Sequence, residues 1–167
     1  RLLKQMITVS SNEAANGLLS RIGNGDDKAA IATVTAIAQR YGFTSSEELR
    51  TLTGMASGNA VENWTSTRDC GSFLSQVYAG TLVSKNASER MMQLLLGQTR
   101  RTKVPAGVPS GVKVANKTGE LAAVQNDVAI VFGTHPYVLA VMSNDISSAV
   151  APSQITELFR AVWDAAQ

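Results

Sequence analysis

A chain of 167 residues, 44% apolar and 17% charged, is long enough to bury one core and too short for two comfortable domains. Its 15 Lys and Arg against 13 Asp and Glu leave a net charge of +2; the one cationic cluster, Arg100-Arg101 with Lys103, lacks the interleaved aromatics of a nucleic-acid footprint and reads as a solvated or substrate-facing loop. No run reaches the length of a membrane span, no signal peptide is visible, and a single cysteine excludes an internal disulfide.

The chain opens in the last turns of a helix, Arg1 to Val9, followed by a second from Glu13 to Ile22 that Gly23 and Gly25 close. Asp26 or Asp27 caps a third through Gln39, with Ala30, Ile31, Val34 and Ile37 on one face. From Tyr41 to Trp64 the periodicity fails and Gly, Ser, Thr and Asn become frequent; a loop of that length in a compact unit is usually functional or mobile. Ser66 with Asp69 then opens a helix ending at Gly80, and Asn86 with Glu89 opens another through Met91, Met92 and Leu95 to Gly97. Cys70 shares a helical face with Phe73, Leu74, Val77 and Tyr78, so a buried structural thiol is expected.

Three strands follow, Val112 to Lys117, Asp127 to Phe132 and Tyr137 to Ser143, and they read as an antiparallel meander. The first alternates, with Lys113, Ala115 and Lys117 on one side; the other two are nearly all apolar and should be covered on both faces. Ser153 to Gln167 is an amphipathic helix, with Ile155, Leu158, Phe159, Val162, Trp163 and Ala166 in register to pack on the sheet. The expectation is therefore an α+β domain over 1–167, mostly helical to 111, then three strands and a helix, its antiparallel sheet flanked by helices. Three such strands alone leave an unmatched edge.

Two short motifs carry the chemistry. Lys117-Thr118-Gly119 offers a fixed cation, a hydroxyl donor and a backbone free of side chain against which a carboxylate-bearing substrate can lie. Ser10-Ser11-Asn12, between the first two helices, offers a proton-relay hydroxyl and an amide that can hold a peptide group. With their flanking text, Met6 to Asn16, Val104 to Pro109, Val112 to Leu121 and Asn126 to Val131, they resemble the class A serine β-lactamases and their penicillin-binding relatives over nearly the whole chain. That signature has three parts: Ser-x-x-Lys, Ser-Asp-Asn and Lys-Thr-Gly. Ser11 stands where the family usually has Asp.

The first part is the one missing. Only Ser110-Gly111-Val112-Lys113 fits Ser-x-x-Lys, in a loop running into a strand, whereas the chemistry needs serine and lysine one helical turn apart. The chain therefore reads as the C-terminal part of a β-lactamase/transpeptidase-like domain. Its nucleophile lies outside it, and an N-terminal fragment of the same protein would complete the sheet.

The resemblance implies a role for each matched residue. Ser10 relays a proton toward the departing ring nitrogen with Lys117 against it, although a serine there could also cap the helix. Asn12 bonds the substrate's amide or orders its loop, Thr118 binds the substrate carboxylate, Gly119 lets the ligand approach, and the Glu120 N–H is an oxyanion-hole donor. Lys103 stands where relatives often carry a carboxylate-binding Arg, with a plain surface lysine as the alternative.

Class A enzymes also carry Glu-x-x-Leu-Asn in the long loop. The nearest text here is Ser46-Glu47-Glu48-Leu49-Arg50, so no clear deacylating glutamate is present, although Glu47, Glu48 or Glu62 could still supply one. His135, in a turn, lacks the partners a base needs, and no metal or cofactor is expected.

The implied activity is hydrolysis of β-lactams through an acyl-enzyme, in an extracytoplasmic setting. Alternatives are a D-alanyl-D-alanine carboxypeptidase or slow penicillin-binding enzyme, and a non-catalytic binder of β-lactam or peptidoglycan.

Overall fold

The computed structural model of the protein describes residues 1–52 and 62–167; of the loop read from Tyr41 to Trp64, residues 53–61 lie outside the described residues. The elements run α1 (Leu2–Thr8), α2 (Asn12–Ile22), α3 (Asp27–Arg40), α4 (Thr67–Ala79), α5 (Lys85–Leu96), β1 (Lys113–Leu121), β2 (Val124–Phe132), β3 (Tyr137–Val141) and α6 (Ala151–Ala166). A short 3₁₀ turn, Val104–Gly107, precedes the sheet.

Helices α2 to α5 each begin where a short polar side chain turns back onto the first turn: Ser11 accepts from the Ala14 N–H, Asp26 from Lys28 and Ala29, Ser66 from Asp69, and Ser84 from Ala87. Such a cap typically stabilises by about 1 kcal/mol. Ser84 rather than Asn86 opens α5, because its extended backbone lets the hydroxyl reach the Ala87 amide while Asn86 is already inside the first turn. Gly80 ends α4 in the left-handed conformation, φ 74°, that glycine adopts without steric cost.

The strands form an antiparallel sheet in the order β1-β2-β3, the expected meander. β1 does not stop at Lys117. Its register with β2 runs from Lys113 opposite Phe132 to Leu121 opposite Val124, so Lys117, Thr118 and Gly119 lie inside the strand, facing Val128, Asp127 and Asn126. One face packs Ala115 and Ile130 against Leu74, Val77 and Leu95 of α4 and α5; the other packs Val114, Ala129 and Val131 against Val104, Ile155 and Phe159. Burying each such side chain favours folding by about 1.5–3 kcal/mol. Gly107 allows the second layer to close, since a Cβ there would meet Phe159 Cβ and the Thr156 carbonyl, both at 2.7 Å.

Several burial expectations are corrected. β3 is half-buried at all five positions instead of covered on both faces, because it is the outer strand of the sheet. α6 buries Ala151, Ile155 and Phe159, a stripe of every fourth residue that leaves Leu158 48% exposed on its flank. α3 buries only Ala30 fully, and Ile37 points away. Cys70, in the first turn of α4, is half-buried with its Sγ 3.5 Å from Thr65 Oγ1; the core stripe begins a turn later, at Leu74. Among the described residues no helix is long and apolar enough to cross a membrane.

Candidate active site

Lys117 leaves β1 on the same face as Ala115 and donates to Ser10 Oγ at 2.8 Å and to the Thr118 carbonyl. Ser10 is delivered by the tight corner between α1 and α2, at φ 58°. A residue with a Cβ occupies that region at a cost of about 1–3 kcal/mol, held there by its surroundings. The surroundings are visible: Gln98 donates to the Ile7 carbonyl at 2.8 Å, and Thr99 gives its hydroxyl at 2.7 Å and its N–H at 3.0 Å to the Thr8 carbonyl. Both carbonyls belong to the last turn of α1, so the chain after α5 fixes the corner.

The helix cap considered for Ser10 is supplied by Ser11, whose Oγ accepts from the Ala14 N–H at 3.1 Å and donates to Glu13 at 2.9 Å. Serine and aspartate both cap well, so serine in the middle of this motif leaves the start of α2 intact. Asn12 is exposed in the first turn, and its side chain makes no hydrogen bond among the described residues. The loop-ordering contact considered for it is not formed there.

Thr118 and Glu120 point to the opposite face of β1. Thr118 is buried to 4% exposure, yet its hydroxyl has no hydrogen-bond partner among the described residues. At Gly119 an added Cβ would meet Asn126 Cβ at 3.6 Å, an ordinary contact, so packing within the chain does not by itself demand glycine.

Behind them lies a charged layer. Asp127, fully buried, accepts from the Val104 N–H and from Asn116 Nδ2, both at 3.0 Å. Lys103 donates to Glu120 Oε1 at 2.9 Å and to the Asn126 carbonyl at 3.2 Å, while Arg100 reaches Glu120 Oε2 at 2.8 Å. With its side chain 1% exposed, Lys103 is no surface lysine; these acceptors are what make burial of its charge tolerable.

Burial holds the Lys117 ammonium below the usual lysine range and Arg100 pushes the same way, against Asp127 and Glu120. Burial would raise Glu120, but the Lys103 hydrogen bond and the charges of Lys103, Arg100 and Lys117 bring it below the usual range. Burial pushes Asp127 up, opposed by its bonds from Asn116 and Val104.

The three glutamates considered as bases sit at the neck of the long loop. Glu47 is exposed and pairs with Trp64 through backbone alone. Glu62 forms a 2.7 Å ion pair with Arg50. Glu48 is half-buried, pushed up by burial against the Arg50 charge and a 3.2 Å bond from Asn63. Asn63 Oδ1 also accepts from the Leu49 and Arg50 N–H groups, and the Leu52 N–H donates to Asn16 Oδ1, tying the neck to α2.

Ser110 is exposed in a turn with Gly111 at φ 92°, and Lys113 begins β1, so the pair does not share a helical turn. His135 lies in a bend, its backbone bonded to Gln167. Sequence reasoning missed Gln98, Thr99, Asn116 and Asp127. A charged residue heading an apolar strand could have flagged Asp127; the others act across 11 to 91 residues and leave no local sign.

A helical layer on an antiparallel sheet, with lysine and serine joined beside one strand, is the architecture of the serine β-lactamase and penicillin-binding class. The chain belongs to the β-lactamase enzyme family, which matches residues 1–166. Among solved structures it is similar to a β-lactamase from Sphaerobacter thermophilus DSM 20745, at 24% identity and TM-score 0.88, over 99% of this chain and 62% of that one. It is also similar to the TLA-3 extended-spectrum β-lactamase, at 23% identity and TM-score 0.87, over 98% and 62%. PBP-A matches at 25% identity and TM-score 0.83, over 97% and 58%. The chain thus spans about three fifths of the length of these structures. No curated protein sequence matches it.

Proposed function

We propose that this chain supplies the substrate groove and proton relay of a serine hydrolase acting on β-lactams, with the acylated serine on polypeptide outside it that also pairs along β3. The 2.8 Å bond between Lys117 and Ser10 carries the reading, because it joins two motifs 107 positions apart in the geometry a relay needs. In the acylation step the outside serine oxygen bonds the lactam carbonyl carbon and the ring C–N bond breaks. The nucleophile's proton goes to the lysine of its own Ser-x-x-Lys and returns through Ser10, whose hydroxyl accepts one proton as it passes its own to the departing nitrogen, with the Lys117 charge easing the transfer.

Thr118 and Lys117 receive the substrate carboxylate, Asn12 the side-chain amide, and the Glu120 N–H the developing oxyanion; one such donor is worth about 3 kcal/mol in the transition state. Gly119 keeps the strand's approach to the ligand clear, and Lys103 supports the carboxylate end from behind Glu120. An extracytoplasmic location goes with this activity.

The test is covalent labelling of the longest natural polypeptide containing this chain with a fluorescent penicillin. A labelled serine in Ser-x-x-Lys is expected, and no label on the 167-residue chain alone. Label on Ser110 would overturn the assignment of the nucleophile; a complete protein that binds penicillin without labelling would be a non-catalytic binder.

A second reading, a penicillin-binding enzyme that releases its acyl group slowly, is favoured by Glu48 and Glu62 being engaged at the loop neck. Similarity to PBP-A, a variant of which is an acyl-enzyme complex with penicillin G, points the same way.

A further inference from the structure

One carboxylate sits where an anionic ligand would be expected to find cations. Glu120 is two positions beyond Thr118 on β1, so their side chains share a face roughly 7 Å apart. Its two oxygens are divided between two cations: Oε1 takes the Lys103 ammonium at 2.9 Å and Oε2 the Arg100 guanidinium at 2.8 Å. Charge-assisted bonds of this length are strong, and together they leave neither carboxylate oxygen idle.

The two cations are not equally free. The Lys103 side chain is 1% exposed and also bonds the Asn126 carbonyl, so it is locked in place, whereas Arg100 is 46% exposed and can swing on its stem. The Glu120 side chain itself is 33% exposed, which puts its charge at the surface and not in the core.

We propose that the Glu120 side chain sets the ligand charge this groove accepts. It occupies Arg100 and Lys103 in place of a ligand's anion, so a substrate carboxylate is held by Thr118 and Lys117 alone and a second negative charge nearby is rejected. The inference deepens the β-lactam reading and rests on it: the ligand class is a monoanion whose remaining groups near Glu120 are neutral or cationic. Lys103 is then a positioning residue, aiming Glu120 from behind without touching the ligand.

Glu120→Gln is the informative variant, because the amide oxygen still accepts from Lys103 while the negative charge is gone and Arg100 is released. In the natural polypeptide containing the chain, the acylation rate with benzylpenicillin relative to its carboxylate methyl ester should rise about tenfold in Glu120→Gln at low salt. The rise should shrink in high salt, and Arg100→Gln added to Glu120→Gln should return the ratio to the wild-type value. An unchanged ratio, or a rise that survives loss of Arg100, overturns the proposal.

Should neither compound acylate the protein, the β-lactam reading fails. The charge role is still decided by titrating sulfate against the Thr118 and Glu120 amide resonances: tighter sulfate binding in Glu120→Gln upholds it, and equal binding in both proteins overturns it.

Discussion

Two carboxylate-bearing regions, the charged layer along β1 and the neck of the long loop, use their charges in opposite ways. Along β1 the buried charges are satisfied from behind: Asp127 by Val104 and Asn116, Lys103 by Glu120 and Asn126. Lys117 is bonded to Ser10 on the other face of β1, and among the described residues neither the Thr118 hydroxyl nor the Asn12 side chain has a hydrogen-bond partner. At the loop neck Glu62 and Glu48 are held by Arg50 and Asn63 and serve to close the loop. Preorganised donors lower a barrier because they need no rearrangement when charge develops, whereas a carboxylate already holding structure is poorly placed to take a proton from water. On the proposed reading the β1 side serves acylation, while Glu48 and Glu62 at the neck are already engaged in holding structure.

The largest effect should come from breaking the first region at its lysine. In the natural polypeptide, Lys117→Ala should slow acylation by about 10²- to 10⁴-fold, while Lys113→Ala, on the same side of β1 but exposed, should change it by no more than about threefold. Equal losses in a labelling time course would mean that the Lys117–Ser10 contact is incidental.

The same lysine gives a pH signature. Since its folded pKa is lowered by burial and Arg100, it sheds its proton below the ordinary 10.5, and the alkaline limb of acylation should fall earlier than for a free lysine. In that window the unfolded chain binds the more protons, so Lys117's contribution to stability rises with pH while activity falls. Lys117→Arg should move the limb upward, since a guanidinium keeps its proton. A limb that stays put assigns the titration to another group.

Release of the acyl group tests the second region. An adduct that persists in a mass-spectrometric time course is expected, with water attack slower by about 10²- to 10⁴-fold than with a positioned base. Glu47→Gln, Glu48→Gln and Glu62→Gln should leave its lifetime within about twofold. Rapid turnover that one of these substitutions abolishes would identify the base and reverse the contrast drawn above.

How legible each region was in the sequence follows from the range of its interactions. The caps of α3 and α4, Gly80 and the meander are local patterns, and each formed as read apart from small shifts at the ends; the cap of α2 moved by one residue, from Ser10 to Ser11. Burial was less legible. Leu158, Ile37 and β3 expose more than their composition suggests, because which side of an element is covered depends on neighbours distant in sequence. Lys103 shows the converse: nothing around it in the chain announces that Glu120 and Asn126 will allow its charge to be buried. The fixing of Ser10 by Gln98 and Thr99 was equally silent.

Stability measurements sharpen the comparison further. Asp127→Ala removes a buried carboxylate, strands the Val104 N–H and Asn116 Nδ2, and leaves Lys103 and Lys117 less compensated; Asn116 Oδ1 already lacks a partner among the described residues. A loss of about 3–5 kcal/mol in chemical denaturation is expected, the cost of opening a buried charged network. A loss under about 1 kcal/mol would show that Asp127 is dispensable.

The smallest effect should be at the neck's visible ion pair. Arg50 and Glu62 meet at 2.7 Å, but their side chains are 27% and 48% exposed, and pairs in that setting are worth about 0–1 kcal/mol because water screens them and two long side chains must be ordered. Glu62→Gln should therefore lower stability by less than about 1 kcal/mol, and added salt should erase the difference. Asn63→Ala is the contrast, since Asn63 accepts from Leu49 and Arg50 and donates to Glu48 and the Arg50 carbonyl, so its loss leaves partly buried backbone groups unpaired at about 1–3 kcal/mol. If Glu62→Gln proved the more damaging in parallel urea melts, the neck would be held by charge and not by the asparagine, and Glu62 could not be spared for chemistry.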